Sequence, residues 1–244
     1  MRIISLVPSW TETLVVAGAE VIGRTRFCIH PKVSVEKIPI LGGTKDWDLK
    51  LIRALKPDLI LLDKEENTQE MFAQAPAPCH VTHVQKVEDV SLELLQLAEQ
   101  LENQKLKALA RRWQLVQEKP IRRRAINEMP GIMAWLKKPL HDHQKFIYII
   151  WKNPWMAISQ NTFIGSQLRH LGFAEQLLSG AKKYYEFKMQ DLAQDSLLLF
   201  SSEPYPFAKK KAELENFEQS SAIIDGEAYS WFGIRALEFI EKHK

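Results

Sequence analysis

The sequence has little of several features that would define a function at once. It has two cysteines, Cys28 and Cys79, in 244 residues, so it carries no disulfide framework. No apolar run approaches the ~18 residues of a membrane span. The net charge of +3, from 33 basic and 30 acidic residues, gives no excess that would attract nucleic acid. We therefore expect a globular protein that neither spans a membrane nor binds nucleic acid.

The start of the chain, MRIISLVPS, reads as a strand directly after Met1 and Arg2. It leaves no room for the apolar core and cleavage site of a secretory signal. As written, the sequence predicts a cytoplasmic protein. A mature form trimmed of its signal would look the same and would be periplasmic, so both locations stay open.

Short apolar runs alternate with helical patterns through the first third of the chain. Such alternation predicts a parallel sheet covered by helices. The predicted strands are Arg2 to Val7, Val21 to Arg24, Leu59 to Leu62 and His80 to Val84. The predicted helices are Glu12 to Ala17, Leu49 to Leu55 and Gln69 to Gln74.

Residues 87–118 have a different pattern, with leucines at helical spacing among many charged side chains. They predict one or two long helices, which Pro120 should end or kink. A second alternating region begins with Phe146 to Trp151. We therefore divide the chain into an N-terminal α/β lobe at 1–86, a helical bridge segment at 87–140 and a C-terminal α/β lobe at 141–244.

Two loops, one in each predicted lobe, share a pattern. The segment PDLILLDKEEN aligns without a gap on QDSLLLFSSEP, which pairs Asp58 with Asp195 and Glu66 with Glu203. Ligands of open parallel sheets sit beyond the carboxyl ends of the strands. Two similar lobes facing one another would therefore place Glu66 and Glu203 near opposite lips of one ligand cleft.

Several loops carry side chains suited to contact with a ligand. Pro204 and Pro206 stiffen the loop SSEPYPF, which can hold Tyr205 and Phe207 without a large ordering cost on binding. The glycines of GGTK let the backbone approach a ligand, and Lys45 could pair with an anionic group. IWKNPWM and YSWFG supply further aromatics. The alternative for each segment is structural, as a turn, a solvated loop or part of the core.

Three groups of potential metal ligands stand close together in the sequence. They are Cys28 with His30, Cys79 with His80 and His83, and His141 with His143. The second group lies on a predicted strand, whose alternation sends the two histidine rings to opposite faces and disfavours a shared ion. The third group is typical of a polar loop. The first group lies near the predicted cleft, as candidate ligands of a cobalt or iron centre or as plain loop residues.

Three segments together resemble a known family of binding proteins. RIISLVPSWTETL, GGTKDWDLKLIRALKPDLIL and IWKNPWMAISQNTFI are similar to the helical-backbone class, or class III, of substrate-binding proteins. That class includes the periplasmic cobalamin-binding protein of ABC importers and receptors for haem and iron chelates. The chain looks most similar to the cobalamin-binding branch over nearly its whole length. The resemblance implies two Rossmann-like lobes with parallel sheets, bridged by a long helix, with the ligand in the cleft between them.

The resemblance also implies where an aromatic pocket would lie. The cobalamin receptor's pocket aromatics fall on Phe27, Tyr184 and Tyr229, which are aromatic here. A further one falls on Thr44, which is not aromatic, although Trp47 is close by. Aromatic faces supply contact area for a large, partly apolar corrinoid. The pocket type is thus expected to persist, whereas the identity of the ligand stays open.

Contact with a membrane permease is less well supported by the resemblance. The two receptor glutamates that meet permease arginines fall on Lys50 and on Gln190, or on Asp191 if the alignment shifts by one residue. Lys50 reverses a charge that this contact needs. The two positions therefore argue against ordinary delivery to a cobalamin importer.

Together the residues and the resemblance predict a non-enzymatic binding protein for cobalamin, haem or an iron siderophore, with no required cofactor, no catalytic residues and no resident metal. The alternatives are a cytoplasmic corrinoid or metal-handling factor or enzyme on the same fold, with Glu66 and Glu203 as acid and base, and a partner-binding scaffold. The predicted ligand-binding residues are Phe27, Lys45, Trp47, Glu66, Asn67, Trp151, Tyr184, Glu203, Tyr205, Tyr229 and Trp231.

Overall fold

The apolar runs at the start of the chain form one parallel sheet in the computed structural model, which describes residues 1–142, 144–177, 180 and 182–244. Its strands are β1 (Arg2–Ser5), β2 (Glu20–Arg24), β3 (Leu59–Asp63) and β4 (Cys79–Thr82). They lie in the order β2-β1-β3-β4, and every pair is parallel. The predicted strands and the predicted parallel sheet are confirmed for this part of the chain.

Six helices accompany this sheet and the segment that follows it. They are α1 (Pro8–Val16), α2 (Lys32–Val35), α3 (Leu49–Leu55), α4 (Gln69–Gln74), α5 (Val87–Gln100) and α6 (Gln104–Glu118). Side chains at the helix starts accept backbone hydrogen bonds, from Leu51 N to Asp48 and from Met71 N to Thr68. The predicted leucine-rich segment forms two helices, and α6 ends two residues before Pro120.

The later apolar runs form a second, mixed sheet. Its strands are β5 (Ile132–Lys137), β6 (Phe146–Trp151), β7 (Trp155–Ile158), β8 (Tyr184–Phe187), β9 (Leu197–Ser201) and β10 (Ser220–Ile224). The order is β5-β10-β9-β6-β7-β8. The central strands β10, β9 and β6 are parallel, whereas β5, β7 and β8 are antiparallel to their neighbours. The central part therefore follows the predicted parallel arrangement and the edges depart from it.

The departure has a local cause in the segment after β6. Only Lys152, Asn153 and Pro154 separate β6 from β7, and so short a connection joins antiparallel strands, because a parallel return needs a crossover of a dozen or more residues. Asn153 has a φ of 67°, in the left-handed region that suits asparagine in a tight turn. A hairpin therefore stands where the sequence suggested the start of a parallel unit.

Strand β9 shows how the second unit buries both faces of its sheet. Alternate residues of β9 belong to two apolar clusters, with Leu197 and Leu199 in one and Leu198 and Phe200 in the other. All four side chains are fully buried. This explains the continuous apolar run, since a central strand covered on both faces needs no polar alternation. The helices of this region are α7 (Phe163–His170), α8 (Lys211–Leu214), α9 (Gly226–Ser230) and α10 (Ile234–His243).

The chain divides into two compact units. The first unit comprises Met1–Val84, Glu88–Leu115 and Phe232–Leu237. The second comprises Gln85–Val87, Val116–Trp231 and Glu238–Lys244. The first sheet belongs to the first unit and the second sheet to the second. The segment 87–140 contributes helices to the first unit and strand β5 to the second.

Candidate functional site

The loop after β3 lies where the strand order of the first sheet reverses. The chain passes from β1 outward to β2 and then returns to β3 on the other side of β1. The carboxyl ends of β1 and β3 therefore flank a topological switch point, the place where open α/β sheets bind ligands. Glu66 and Asn67 follow β3 at this place, as the sequence pattern predicted.

Asn67 is buried and its carboxamide is engaged within the first unit. Its Oδ1 accepts a hydrogen bond from Asp63 N at 2.8 Å. Its Nδ2 donates to Leu6 O at 3.3 Å and to Thr44 O at 2.9 Å. The side chain thus ties the ends of β1 and β3 to the GGTK loop, and its structural part is to hold these loops in place.

Replacing Asn67 by alanine is expected to lower the free energy of unfolding by about 2 kcal/mol, because the buried Asp63 N–H and two carbonyls lose their partner. Urea denaturation followed by circular dichroism measures the change. Asn67→Asp, which keeps the shape but removes both amide donors, should also be destabilised. Wild-type stability in both variants would show that these bonds contribute nothing.

Asp63, at the end of β3, was not predicted as a site residue. Its Oδ1 accepts from Glu65 N at 2.9 Å, and its Oδ2 accepts from Thr82 Oγ1 at 2.7 Å. Trp10 Nε1 in turn donates to Thr82 Oγ1 at 2.9 Å. Burial of the carboxyl raises the pKa of Asp63, and the hydrogen bonds oppose that rise. An acidic residue that ends a buried apolar run is the sequence signal that would have found it.

Glu66 lies near Asp63 and is half-buried. Burial raises the pKa of Glu66, the charges of Asp63 and Glu65 raise it further, and the charge of Lys45 opposes the rise. A raised pKa favours the protonated carboxyl, which can donate a hydrogen bond as well as accept one. At any given pH, a larger fraction of Glu66 is therefore protonated than of a fully exposed glutamate.

The raised pKa of Glu66 predicts a pH dependence of stability. The folded protein binds this proton more tightly than the unfolded chain does, so the contribution of Glu66 is full below the ordinary pKa of 4.5 and is lost as pH rises through the folded-state value. Glu66→Gln should remove this loss and should be at least as stable as the wild type at pH 7. Urea titrations at pH 4.5 and pH 7 compare the two proteins. A variant that loses more stability at pH 7 than at pH 4.5 would contradict the assignment.

The GGTK loop carries Lys45 and Trp47 at the same edge of the first sheet. Lys45 Nζ donates to Glu65 O at 2.7 Å, which links this loop to the loop after β3. Trp47 is half-buried against the core of the first unit. Gly42 is required because its φ is 129° and a Cβ there would lie 2.4 Å from Asp46 O. GGTK is thus a packed turn that presents Lys45.

Phe27 follows β2 in a turn and is 50% exposed. The Arg26 guanidinium carbon lies 5.1 Å from the centre of the Phe27 ring, within cation–π range. Arg26 also pairs with Asp46 of the GGTK loop, with Nη2 2.9 Å from Oδ1. The exposed ring of Phe27 is therefore held by a neighbouring cation that is itself fixed.

The carboxyl edge of the second sheet carries a second group of aromatics. Trp151 ends β6, and Tyr205 lies in the loop after the adjacent parallel strand β9. Their ring centres are 5.6 Å apart and their planes make an angle of 78°. Trp151 is 40% exposed and Tyr205 is half-buried, so the pair offers apolar surface that is not consumed by the core.

Phe207 anchors the loop SSEPYPF in the core of the second unit. Phe207 is fully buried, stacks on Trp155 with a 6.0 Å separation of ring centres and contacts Tyr205 at 4.5 Å. Two prolines flank Tyr205 and restrict the backbone that carries it. The two aromatic residues therefore have different roles. Phe207 fixes the loop in the core, and Tyr205 lies at the edge of the sheet.

Glu203 is exposed at the start of this loop. Partial burial and the charge of Glu227 raise the pKa of Glu203, and the charge of Lys209 opposes the rise. The loop lies close to the start of α9, where a Cβ on Gly226 would come within 2.5 Å of Glu203 N. Glu227 and Lys209 were not predicted as site residues. Their signals are an acidic residue in the first turn of α9 and the lysine run after Phe207.

Tyr229 is part of the core of the second unit. Its side chain has no exposed surface, and its hydroxyl donates to Pro130 O at 2.9 Å. Its ring packs edge-on against Tyr148 and Phe239, with centres 5.8 and 5.0 Å away. Tyr229 is thus not accessible to a ligand in this structure, although the resemblance to the cobalamin receptor implied that it lines the pocket.

The other two aromatic candidates of the second unit have exposed surface. Tyr184 begins β8, the edge strand of the sheet, and is 40% exposed. Trp231 follows α9 and is half-buried. Its backbone N–H donates to Glu227 O at 3.0 Å. Tyr184 pairs with Ile158 at the amino end of β8, whereas Trp151 and Tyr205 lie at the carboxyl edge of the sheet.

The candidate metal ligands that the structure describes lie in separate local environments. Cys28 is buried, with Sγ 3.1 Å from both Thr11 Oγ1 and Thr25 Oγ1, and burial raises the pKa of its thiol. His80 and His83 instead contact separate carboxylates, with Nε2 3.8 Å from Glu93 and 3.8 Å from Glu65 respectively. His143 lies outside the described residues. No group of three potential ligands that could hold a metal occurs in the described part of the chain.

Lys50 and Gln190 are both exposed, on α3 and in the single turn Met189–Asp191. They therefore have the accessibility that contact with a partner requires, but neither supplies a carboxylate. Within the described residues, no helix has the length and apolar character needed to cross a membrane.

Solved structures with similar folds cover almost the whole chain. Three of these are the periplasmic vitamin B12 binding protein BtuF of Vibrio cholerae, the periplasmic haem-binding protein HutB of Vibrio cholerae, and IsdE of S. aureus complexed with haem. Their TM-scores are 0.68, 0.70 and 0.72, each at 15% identity. The alignments cover 99% of this chain and 94%, 96% and 96% of those chains. The chain has the fold of these binding proteins.

Sequence comparisons are less informative than the fold. No family profile matches the chain, and no curated protein matches it. At 15% identity the likeness establishes a shared two-lobed α/β architecture and leaves the ligand to be argued from this chain's own residues. It confirms the fold predicted from the sequence.

Proposed function

We propose that this protein is a binding protein for a corrinoid or a related metal chelate, such as haem or an iron siderophore. The observation that carries the proposal is the grouping of exposed aromatic rings with titratable side chains at the carboxyl edges of two sheets. Large planar ligands bind through apolar and aromatic contact area, and a few polar groups fix their orientation. The shared fold with proteins that bind vitamin B12 and haem supports the same class of ligand.

The proposed contacts are of two kinds, apolar and polar, and each unit supplies both. Apolar contact is assigned to exposed or half-buried rings at these carboxyl edges, which are Phe27, Trp47, Trp151, Tyr205 and Trp231. Tyr184 is left out, because β8 runs parallel to β6 and Tyr184 lies at its amino end, opposite Ile158. Polar contact is assigned to Lys45, Glu66 and Glu203. Asn67 and Tyr229 are not assigned to ligand contact, because the hydrogen bonds of Asn67 hold loops of the first unit together and Tyr229 is buried in the core of the second unit. The ligand would thus be recognised by burial and complementarity, without covalent chemistry.

Isothermal titration of the protein with cyanocobalamin, haem and a ferric siderophore in parallel tests the proposal. We expect one of them to bind with a Kd of about 1 µM or tighter, equivalent to about 8 kcal/mol. The matched control is Glu66→Gln with Glu203→Gln, which keeps the aromatic surface and should retain binding with altered pH dependence. Failure of all three ligands to bind at up to roughly 1 mM would refute the ligand class.

Delivery of the ligand to an ABC permease is a separate proposal. The exposed Lys50 and Gln190 do not offer the carboxylates that would pair with permease arginines. We therefore propose that the binding function does not depend on docking through these two positions. Lys50→Glu with Gln190→Glu should leave ligand affinity unchanged in the same titration, whereas a change in affinity would place these positions in the binding site.

A further inference from the structure

A separate pocket lies against α4 within the first unit. Its volume is about 410 Å³, in the range of small-molecule sites. Its lining consists of Leu62, Asp63, Lys64, Asn67, Thr68, Gln69, Phe72 and Val81. These residues come from β3, β4, the loop between β3 and α4, and α4 itself. None of the aromatic rings assigned above to the ligand belongs to it.

The pocket has an apolar floor because of the register of β3 and β4. Leu62 pairs with Val81, so their side chains point to the same face of the sheet. Both belong to the cluster that also contains the buried Met71 of α4. The next residue of the helix, Phe72, is 53% exposed and leaves its ring available at the pocket wall. An apolar floor beside an exposed aromatic ring favours a flat, apolar ligand.

Two polar residues of the lining, Asp63 and Asn67, are already engaged elsewhere. Asp63 pairs with Thr82 and points to the opposite face, where its carboxylate accepts from Thr82 Oγ1 at 2.7 Å and Glu65 N at 2.9 Å. The carboxamide of Asn67 is used in the loop tie described above. Asp63 therefore presents mainly its backbone to the pocket, and its charge is turned away.

Two polar side chains of the lining remain available to a ligand. Lys64 and Gln69 are exposed, and neither has a side-chain hydrogen bond or ion pair with another described residue. The Lys64 ammonium supplies a positive charge at the rim, and the Gln69 amide supplies both a donor and an acceptor. A cation at the rim of an apolar floor is complementary to an anionic group on an apolar body.

We propose that this pocket binds a small aromatic acid, with its ring on Phe72, Leu62 and Val81 and its carboxylate on Lys64. The proposal is independent of the function proposed above, because it uses different side chains and lies entirely in the first unit. The site would make the protein responsive to a second, smaller ligand. Its occupant is defined by chemistry, as a planar hydrocarbon ring system that carries one carboxylate.

Titration with 2-naphthoate, followed by ligand-observed NMR and by the amide shifts of Thr68 and Val81, tests the proposal. We expect saturable binding with a Kd of about 0.1–1 mM. Phe72→Ala should weaken it about tenfold through loss of ring contact, and Lys64→Gln about fivefold through loss of the charge. The neutral 2-naphthamide should bind the wild type about fivefold more weakly than the acid and should not respond to Lys64→Gln.

Three controls separate this pocket from other surfaces. Lys64→Arg keeps the charge and should stay within about twofold of the wild type. Leu92→Ala removes an apolar side chain that is 58% exposed on α5 and should change nothing. Affinity for cyanocobalamin or haem should be the same in Phe72→Ala as in the wild type. Absence of saturable naphthoate binding, or binding that Phe72→Ala and Lys64→Gln leave unchanged, would overturn the proposal whatever the larger ligand does.

Discussion

Replacing Tyr229 by alanine is expected to lower the free energy of unfolding by about 3–5 kcal/mol, the cost of removing a fully buried aromatic side chain. Its ring contacts Tyr148 and Phe239, and a cavity would remain between them. Urea denaturation monitored by hydrogen exchange at amides of β6, β9 and β10 measures the effect in the second unit. That readout is preferred because a chain with two units can unfold in more than one step.

The control for this prediction distinguishes the contribution of the Tyr229 ring to stability from that of its hydroxyl. Tyr229→Phe keeps the packing but leaves Pro130 O without its 2.9 Å donor, so a loss of about 1–1.5 kcal/mol is expected. Because the ring is buried, the same variant should bind the ligand of the wild type with unchanged affinity. A stable Tyr229→Ala protein with weakened ligand binding would reverse this reading and make Tyr229 a contact residue.

Tyr229 illustrates a limit of reading function from residue type. An aromatic residue near the carboxyl end of a strand suits a ligand pocket and a hydrophobic core equally well. The choice depends on whether neighbouring elements cover the ring, and here Tyr148 of β6 and Phe239 of α10 do so, while the hydroxyl bonds to Pro130, 99 residues away. Local sequence contains no record of those contacts. Trp151, by contrast, stays 40% exposed in a segment with similar composition.

The strands and their order of appearance were predictable because their signals are local. A fully apolar run such as Leu197 to Phe200 is typical of a strand covered on both faces, and β9 has that position. The match between the loops after β3 and β9 was likewise visible, since both follow fully buried strands. Position along the chain was therefore enough to place Glu66 and Glu203 at the carboxyl ends of their strands.

Interactions between loops were not predictable in the same way. Asn67 looked like a polar group offered to a ligand, but its hydrogen bonds reach Leu6 and Thr44, which are 61 and 23 residues away. The raised pKa of Glu66 similarly depends on burial and on the charge of Asp63. The sequence shows that Asp63 is close by, but it does not show that Glu66 is buried. Such partners are set by tertiary packing, which residue spacing does not encode.

The double replacement Trp151→Ala with Tyr205→Ala is expected to weaken binding of the corrinoid or chelate by about 3 kcal/mol, or roughly a 100-fold rise in Kd. Each ring retains surface that a planar ligand can bury, and each supports the other through the 5.6 Å edge-on contact. Isothermal titration with the ligand identified for the wild type measures the change. The fold should persist, because Phe207 and Trp155 still anchor the loop and β6 remains paired to β9.

Two matched proteins make this result specific. Trp151→Phe with Tyr205→Phe keeps two aromatic faces and should retain most of the affinity, within about tenfold of the wild type. Met133→Ala removes an apolar side chain that is 58% exposed on β5 and should have no effect. Unchanged affinity in the double alanine protein, with circular dichroism showing an intact fold, would mean that Trp151 and Tyr205 do not touch the ligand. The apolar contact area would then have to come from Trp231 of the second unit and from Phe27 and Trp47 of the first, which the corresponding alanine variants would reveal.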